Sequence, residues 1–165
     1  MRRLVASQRG MMVAEVLIAS AIIGTGLVAL SAVIPLASYG LQEGNQLSTA
    51  TFLATQRMEQ VRNARWEAGP PLTDNLGVSA SETTAPVRGA VTTFPDEAPL
   101  GEPYASYSRA VRIMDCGAGA GCSGIVNADL RQVTVTVSYR PMTVVGVAPA
   151  TTTKSAVVTM YITKR

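Results

Sequence analysis

Three sets of residues have types and spacing that could do chemistry. Glu15 is the only charged side chain between Gly10 and Gln42, in a run otherwise made of apolar and small residues. A carboxylate at membrane depth costs a few kcal/mol and has a function or a partner by default. Cys116 and Cys122 flank Gly-Ala-Gly-Ala-Gly. Two thiols alone cannot make a four-ligand zinc site. In an oxidising compartment they would close a small disulfide loop; otherwise they are two thiols in a flexible loop. Asp96 and Glu97 are adjacent carboxylates in a proline-rich stretch and read as solvated surface rather than as an acid–base pair. There is no histidine, which removes the commonest general base and metal ligand. No G-x-S-x-G nucleophile motif occurs either. The sequence points away from an enzyme and implies neither cofactor nor metal.

Charge argues against a further class. The formal net charge is +3, with 14 Lys and Arg against 11 Asp and Glu. Arg2, Arg3 and Arg9 supply all of that excess. Without the first ten residues, 11 basic groups face 11 acidic ones and the net charge is 0. No nucleic-acid partner is expected from charge, because a neutral chain offers no basic footprint.

The element that must position Glu15 is the apolar segment itself. Met11–Tyr39 as a helix would be about 43 Å long, more than a bilayer core needs. The preceding arginines favour a cytoplasmic N-terminus. A cleaved secretory signal would have an apolar region of only ~7–15 residues closed by a small-residue site, and this run is far longer. A plain membrane anchor explains the length and the arginines but leaves Glu15 unexplained, unless it lies at the headgroups.

A third reading accounts for Glu15. Gln8-Arg9-Gly10, then Met11-Met12-Val13-Ala14-Glu15, then an apolar run resembles the processing motif of the type IV pilin-like (prepilin) superfamily. That resemblance implies cleavage between Gly10 and Met11 by prepilin peptidase and N-methylation of Met11. Glu15 becomes the fifth mature residue, whose carboxylate neutralises the N-terminal amine of a neighbouring subunit during assembly. The family usually starts with an aromatic residue, followed by Thr or Ser and large aliphatics. Met11, Met12, Val13 and Ala14 depart from that pattern, while the glycine and glutamate stand in place.

A helical pattern continues beyond the apolar run. Leu47, Ala50, Ala54, Met58 and Val61 recur at spacings of three and four, an amphipathic stripe. Ala68-Gly69-Pro70-Pro71 marks its end. Pro35 interrupts the helix, with Gly24 and Gly26 a few turns earlier. The resemblance implies that such a segment unwinds locally on assembly. Gly40 and Gly44 weaken the helix where it should leave the membrane. The stretch Ala50–Trp66, with Gln56-Arg57-Met58-Glu59 and Val61-Arg62-Asn63, resembles PilV-type minor pilins and minor pseudopilins of type II secretion.

From Gly69 to Pro103 the chain reads as loop, with short strands around Pro86–Phe94. Alternation then predicts strands at Tyr107–Asp115, Leu130–Arg140 and Lys154–Thr163. Val133, Val135, Val137 and Tyr139 fall on one face; so do Ala156, Val158, Met160 and Ile162. The Cys116–Cys122 loop would join two strands, and Pro141 and Pro149 punctuate the next link. The expected fold class is α+β: a long N-terminal helix, membrane-spanning in its first half, packed on a small antiparallel sheet. The resemblance gives this arrangement its name, the pilin-type fold.

The expected organisation is a cleaved leader at 1–10, a transmembrane and assembly helix at 11–39, its amphipathic half at 40–68, and a periplasmic region at 69–165. The expected function is a structural subunit, minor pilin or pseudopilin, with prepilin peptidase, other pilin or pseudopilin subunits and the inner membrane as partners. Alternatives are a tip-binding role in adhesion or DNA uptake, or a plain single-pass anchored periplasmic protein.

Overall fold

The computed structural model describes residues 8–66, 75–117, 122–141 and 152–164. The chain divides into two compact units, Met1–Gln42 and Glu43–Arg165. Helix α1 (Gln8–Arg62) is long and apolar enough to cross a membrane. Strands β1 (Val87–Arg88) and β2 (Val91–Thr92) form a small hairpin. Strands β3 (Tyr107–Asp115), β4 (Leu130–Tyr139) and β5 (Lys154–Thr163) form an antiparallel sheet in the order β3-β4-β5. The fold is α+β, as the pattern predicts.

The core of the second unit lies between the sheet and residues 50–61 of α1. Ala50, Leu53, Ala54, Met58 and Val61 are buried on the helix side. The sheet answers with Val111 and Ile113 of β3, Val133, Val135 and Val137 of β4, and Ala156 of β5. The register sets Val135 opposite both Val111 and Val158, and Val137 opposite Ala156. The two-residue period of a strand therefore brings one apolar row from each strand onto the helix. Burying a side chain such as Leu53 contributes about 1.5–3 kcal/mol.

Two details differ from expectation. Leu47 is off the core, 47% exposed, while Leu53 is fully buried. Leu53 lies three residues after Ala50, and a helical stripe of 3.6-residue period admits either a three- or a four-residue step. The helix also ends at Arg62, ahead of the expected stop at Ala68. A turn takes over, with the Ala64 N–H donating to the Val61 carbonyl, and Arg65 bridges to Asn75. The expected breakers Gly69, Pro70 and Pro71 lie outside the described residues, as does Pro149.

The edge of β3 is covered. Glu97 and Arg109 exchange backbone hydrogen bonds of 2.9 and 2.8 Å, the Leu100 N–H donates to Tyr107, and the Ser79 N–H donates to Ile113. Gly77 lets the covering segment approach. Its φ is +64°, and a Cβ there would stand 2.6 Å from Thr93 Oγ1 and 3.0 Å from the Val87 carbonyl oxygen. Both constraints demand glycine.

Candidate functional site

In the first unit every residue from Met12 to Ser38 is exposed. Val16, Leu17, Ile18, Ile22, Ile23 and Leu27 each leave more than half their surface open. The helix is apolar all round and long enough to cross a membrane.

The polar groups of this segment make Glu15 distinct. Ser20 donates to the Leu17 carbonyl, Thr25 to Ile22, Ser31 to Leu27 and Ser38 to Ile34, all within 3.0 Å. Hydroxyls that bond their own helix need nothing from outside. Among the described residues, Glu15 is therefore the one polar side chain of 12–38 not bonded within the helix. It shares a face with Ile18, Ala19 and Ile22, next to Ala14. A carboxylate on an apolar face can receive one cationic group.

Gly10 and Met11 lie in the first turn of α1. Helix α1 continues through Gly24, Gly26, Pro35, Gly40 and Gly44. The chain stays helical through Pro35, and the unwinding expected on assembly concerns the assembled state. Proline removes one backbone hydrogen bond and crowds the carbonyl of the preceding turn; the rest of the helical ladder carries the element across. A Cβ added at Gly24, Gly26, Gly40 or Gly44 would meet nothing within 4 Å, so none of these glycines is required by packing inside the chain.

In the second unit Cys116 and Cys122 are joined by a disulfide, with Cα atoms 5.1 Å apart. Both sulfurs are buried between the end of β3 and the start of β4. Gly117, inside this loop, packs on Ala128: a Cβ there would stand 2.6 Å from Ala128 Cα. Among the described residues no group of carboxylate, thiol or imidazole side chains is arranged to hold a metal ion.

Asp96 is exposed and Glu97 half-buried, and both carry arginine partners. Glu97 takes Arg57 of α1 on one oxygen at 3.1 Å and Arg109 of β3 on the other at 2.6 Å. Burial lowers the Arg57 pKa, Glu97 opposes that, and Arg109 adds to it. Asp96 accepts two bonds from Arg112, at 2.6 and 2.8 Å. That contact holds the Asp96 carboxyl below its ordinary value, outweighing burial. These carboxylates fasten the loop to the helix and the sheet. Lys154 of β5 pairs with Glu43 of α1 in the same unit.

Arg131 was not singled out by the sequence. It is 6% exposed, on the inward face of β4, with its guanidinium 4.2 Å from the Trp66 ring centre. Its Nε and one Nη are buried without a hydrogen-bond partner. Burial lowers its pKa, opposed by Asp115. The signal lay in the strand pattern, where position 131 falls in the row of Val133 and Val135.

No family model, curated protein or solved structure matches this chain.

Proposed function

We propose that this chain is the precursor of a type IV pilin-like structural subunit, a minor pilin or a minor pseudopilin of a type II secretion system. Its first ten residues are a leader removed by prepilin peptidase, and Met11 becomes the methylated N-terminus. The subunit resides in the cytoplasmic membrane through α1, with its C-terminal unit outside the cytoplasm, and assembles by packing that helix against those of other subunits. It has no catalytic role.

The observation that carries this reading is Glu15: one carboxylate without a bond inside its helix, on an exposed apolar face, five residues after a glycine that ends a basic leader. In an apolar fibre the cleaved amine at Met11 needs a counter-charge, and Glu15 of a neighbouring subunit supplies it. The α+β arrangement of one long apolar helix and a small sheet is compatible with the same reading. Burial of the exposed helix contributes about 25 cal/mol per Å² of apolar area to assembly.

The test is incorporation. Glu15→Gln and Glu15→Ala are expected to insert into the membrane and be processed normally, yet to be depleted at least about tenfold from sheared filaments or pseudopili. Wild-type incorporation of both variants would contradict the assignment of Glu15.

A further inference from the structure

A pocket of about 460 Å³ opens at one end of the main sheet. Ser106, Ser108, Ser138, Arg140 and Thr153 line it. Tyr107 and Tyr139, both buried and with ring centres 5.8 Å apart, back it on the core side. The strand register explains the convergence. Ser108 stands opposite Ser138, and the two-residue period of a strand carries Arg140 to the face of Ser138.

These polar groups are uncommitted. Elsewhere hydroxyls bond within the chain, as Thr93 does to the Leu76 and Pro86 carbonyls. Among the described residues, none of the serine, threonine and arginine side chains of this pocket has a hydrogen-bond or ion-pair partner. Arg140 is exposed, and no described carboxylate lines the pocket. Glu97 is held by Arg57 and Arg109, and Glu43 by Lys154. Residues 141–153 carry no charge. A guanidinium with free hydroxyls beside it is a donor set for an oxyanion.

Location selects the oxyanion. Thr153 precedes Lys154, which pairs with Glu43, and the Tyr107 hydroxyl lies 3.5 Å from the Gln46 carbonyl oxygen. The pocket thus lies at the end of the second unit where its chain begins, at Glu43. Even fully extended, the chain from Tyr39 to Glu43 reaches only about 14 Å. When α1 spans a bilayer, chain length alone holds this end of the unit near the headgroups. One exposed arginine binds a free anion weakly in water. A tether to the bilayer supplies a high local concentration of headgroups instead.

We propose that this pocket takes the phosphate of an anionic phospholipid headgroup from the bilayer that α1 crosses. Arg140 meets the phosphate oxygens, and the hydroxyls of Ser106, Ser108 and Ser138 meet the remaining headgroup oxygens. The proposal rests on that crossing; the leader and Glu15 play no part in it.

The test titrates the full chain in detergent micelles with short-chain phosphatidylglycerol, with retained lipid counted by native mass spectrometry. Retention of one phosphatidylglycerol is expected, and equimolar inorganic phosphate should leave it in place. Phosphatidylcholine, neutral overall, should be retained less. Arg140→Gln should weaken retention at least about tenfold, and because the side chain is exposed and unpaired the fold does not depend on it. Arg62→Gln removes the same charge at the C-terminal end of α1 and should leave retention unchanged. Equal retention by Arg140→Gln, equal loss in both variants, equal retention of phosphatidylcholine, or displacement by equimolar inorganic phosphate would overturn the proposal. Flotation of the reconstituted chain with vesicles checks the premise separately. A chain that does not float removes the membrane span and the proposal with it, whereas a floating chain without Arg140-dependent retention removes the headgroup site alone.

Discussion

Arg109 of β3 grips Glu97 with two nitrogens, Nε at 3.0 Å and an Nη at 2.6 Å, while the backbones of the same two residues exchange hydrogen bonds. With Arg57 on the other carboxylate oxygen, one glutamate ties the loop to both layers of the core. Glu97→Gln should lower stability by about 1–3 kcal/mol, because two largely buried guanidiniums lose their counter-charge. Chemical denaturation of the full chain in detergent measures this. Glu59→Gln is the comparison. Its pair with Arg62 is 56% exposed on each side, and its loss should cost less than about 0.5 kcal/mol.

Asp96 predicts an acid limb. The hydrogen bonds from Arg112 lower its folded pKa below the unfolded value, which is about 3.9. The contribution is thus fully present above that unfolded value and is lost as pH falls through the folded one. Melting temperature between about pH 6 and pH 2 should decline more steeply at the acid end in the wild type than in Asp96→Asn. Asp96 is partly exposed, so the difference is small. Parallel curves would remove the pair from the account.

Arg131 places a guanidinium where the strand pattern calls for an apolar residue. Arg131→Met keeps a flexible chain against Trp66 and removes two buried, unpartnered nitrogens. Replacing a buried charge by a hydrophobe of similar volume is often neutral or stabilising. Denaturation midpoints of Arg131→Met should equal or exceed the wild type. A loss of more than about 1 kcal/mol would show that the stacking on Trp66 outweighs the desolvation.

Local rules made the fold legible. Val133, Val135, Val137 and Tyr139 alternate strictly and all are buried; Ala156, Val158, Met160 and Ile162 share the face opposite them. The end of α1 is read from the breakers at Gly69, Pro70 and Pro71, whereas Ala64 and Trp66 already lie beyond the helix, which stops at Arg62. In the fold they pack on the core from a turn and a bridge after the helix. The Glu97 cluster could not be read, since its partners lie 40 residues upstream and 12 downstream. Such pairings are set by tertiary contact, which spacing does not encode. Arg131 broke the alternation without announcing its partner, because Trp66 comes from the segment just after α1, far away in sequence. Glu15 was legible for the opposite reason. One charge in an apolar run is a local anomaly, and the structure gives it no bond within its helix.

The central claim is that the basic leader ends at Gly10 and leaves Glu15 as the fifth residue of a membrane-anchored subunit. Intact mass and N-terminal peptide mass spectrometry of the chain, purified from membranes that contain a prepilin peptidase, test it most directly. The account predicts a mature chain beginning at Met11 and carrying a methyl group on its α-amine. A chain that still begins at Met1, or one cut after the apolar run near Tyr39, would contradict it.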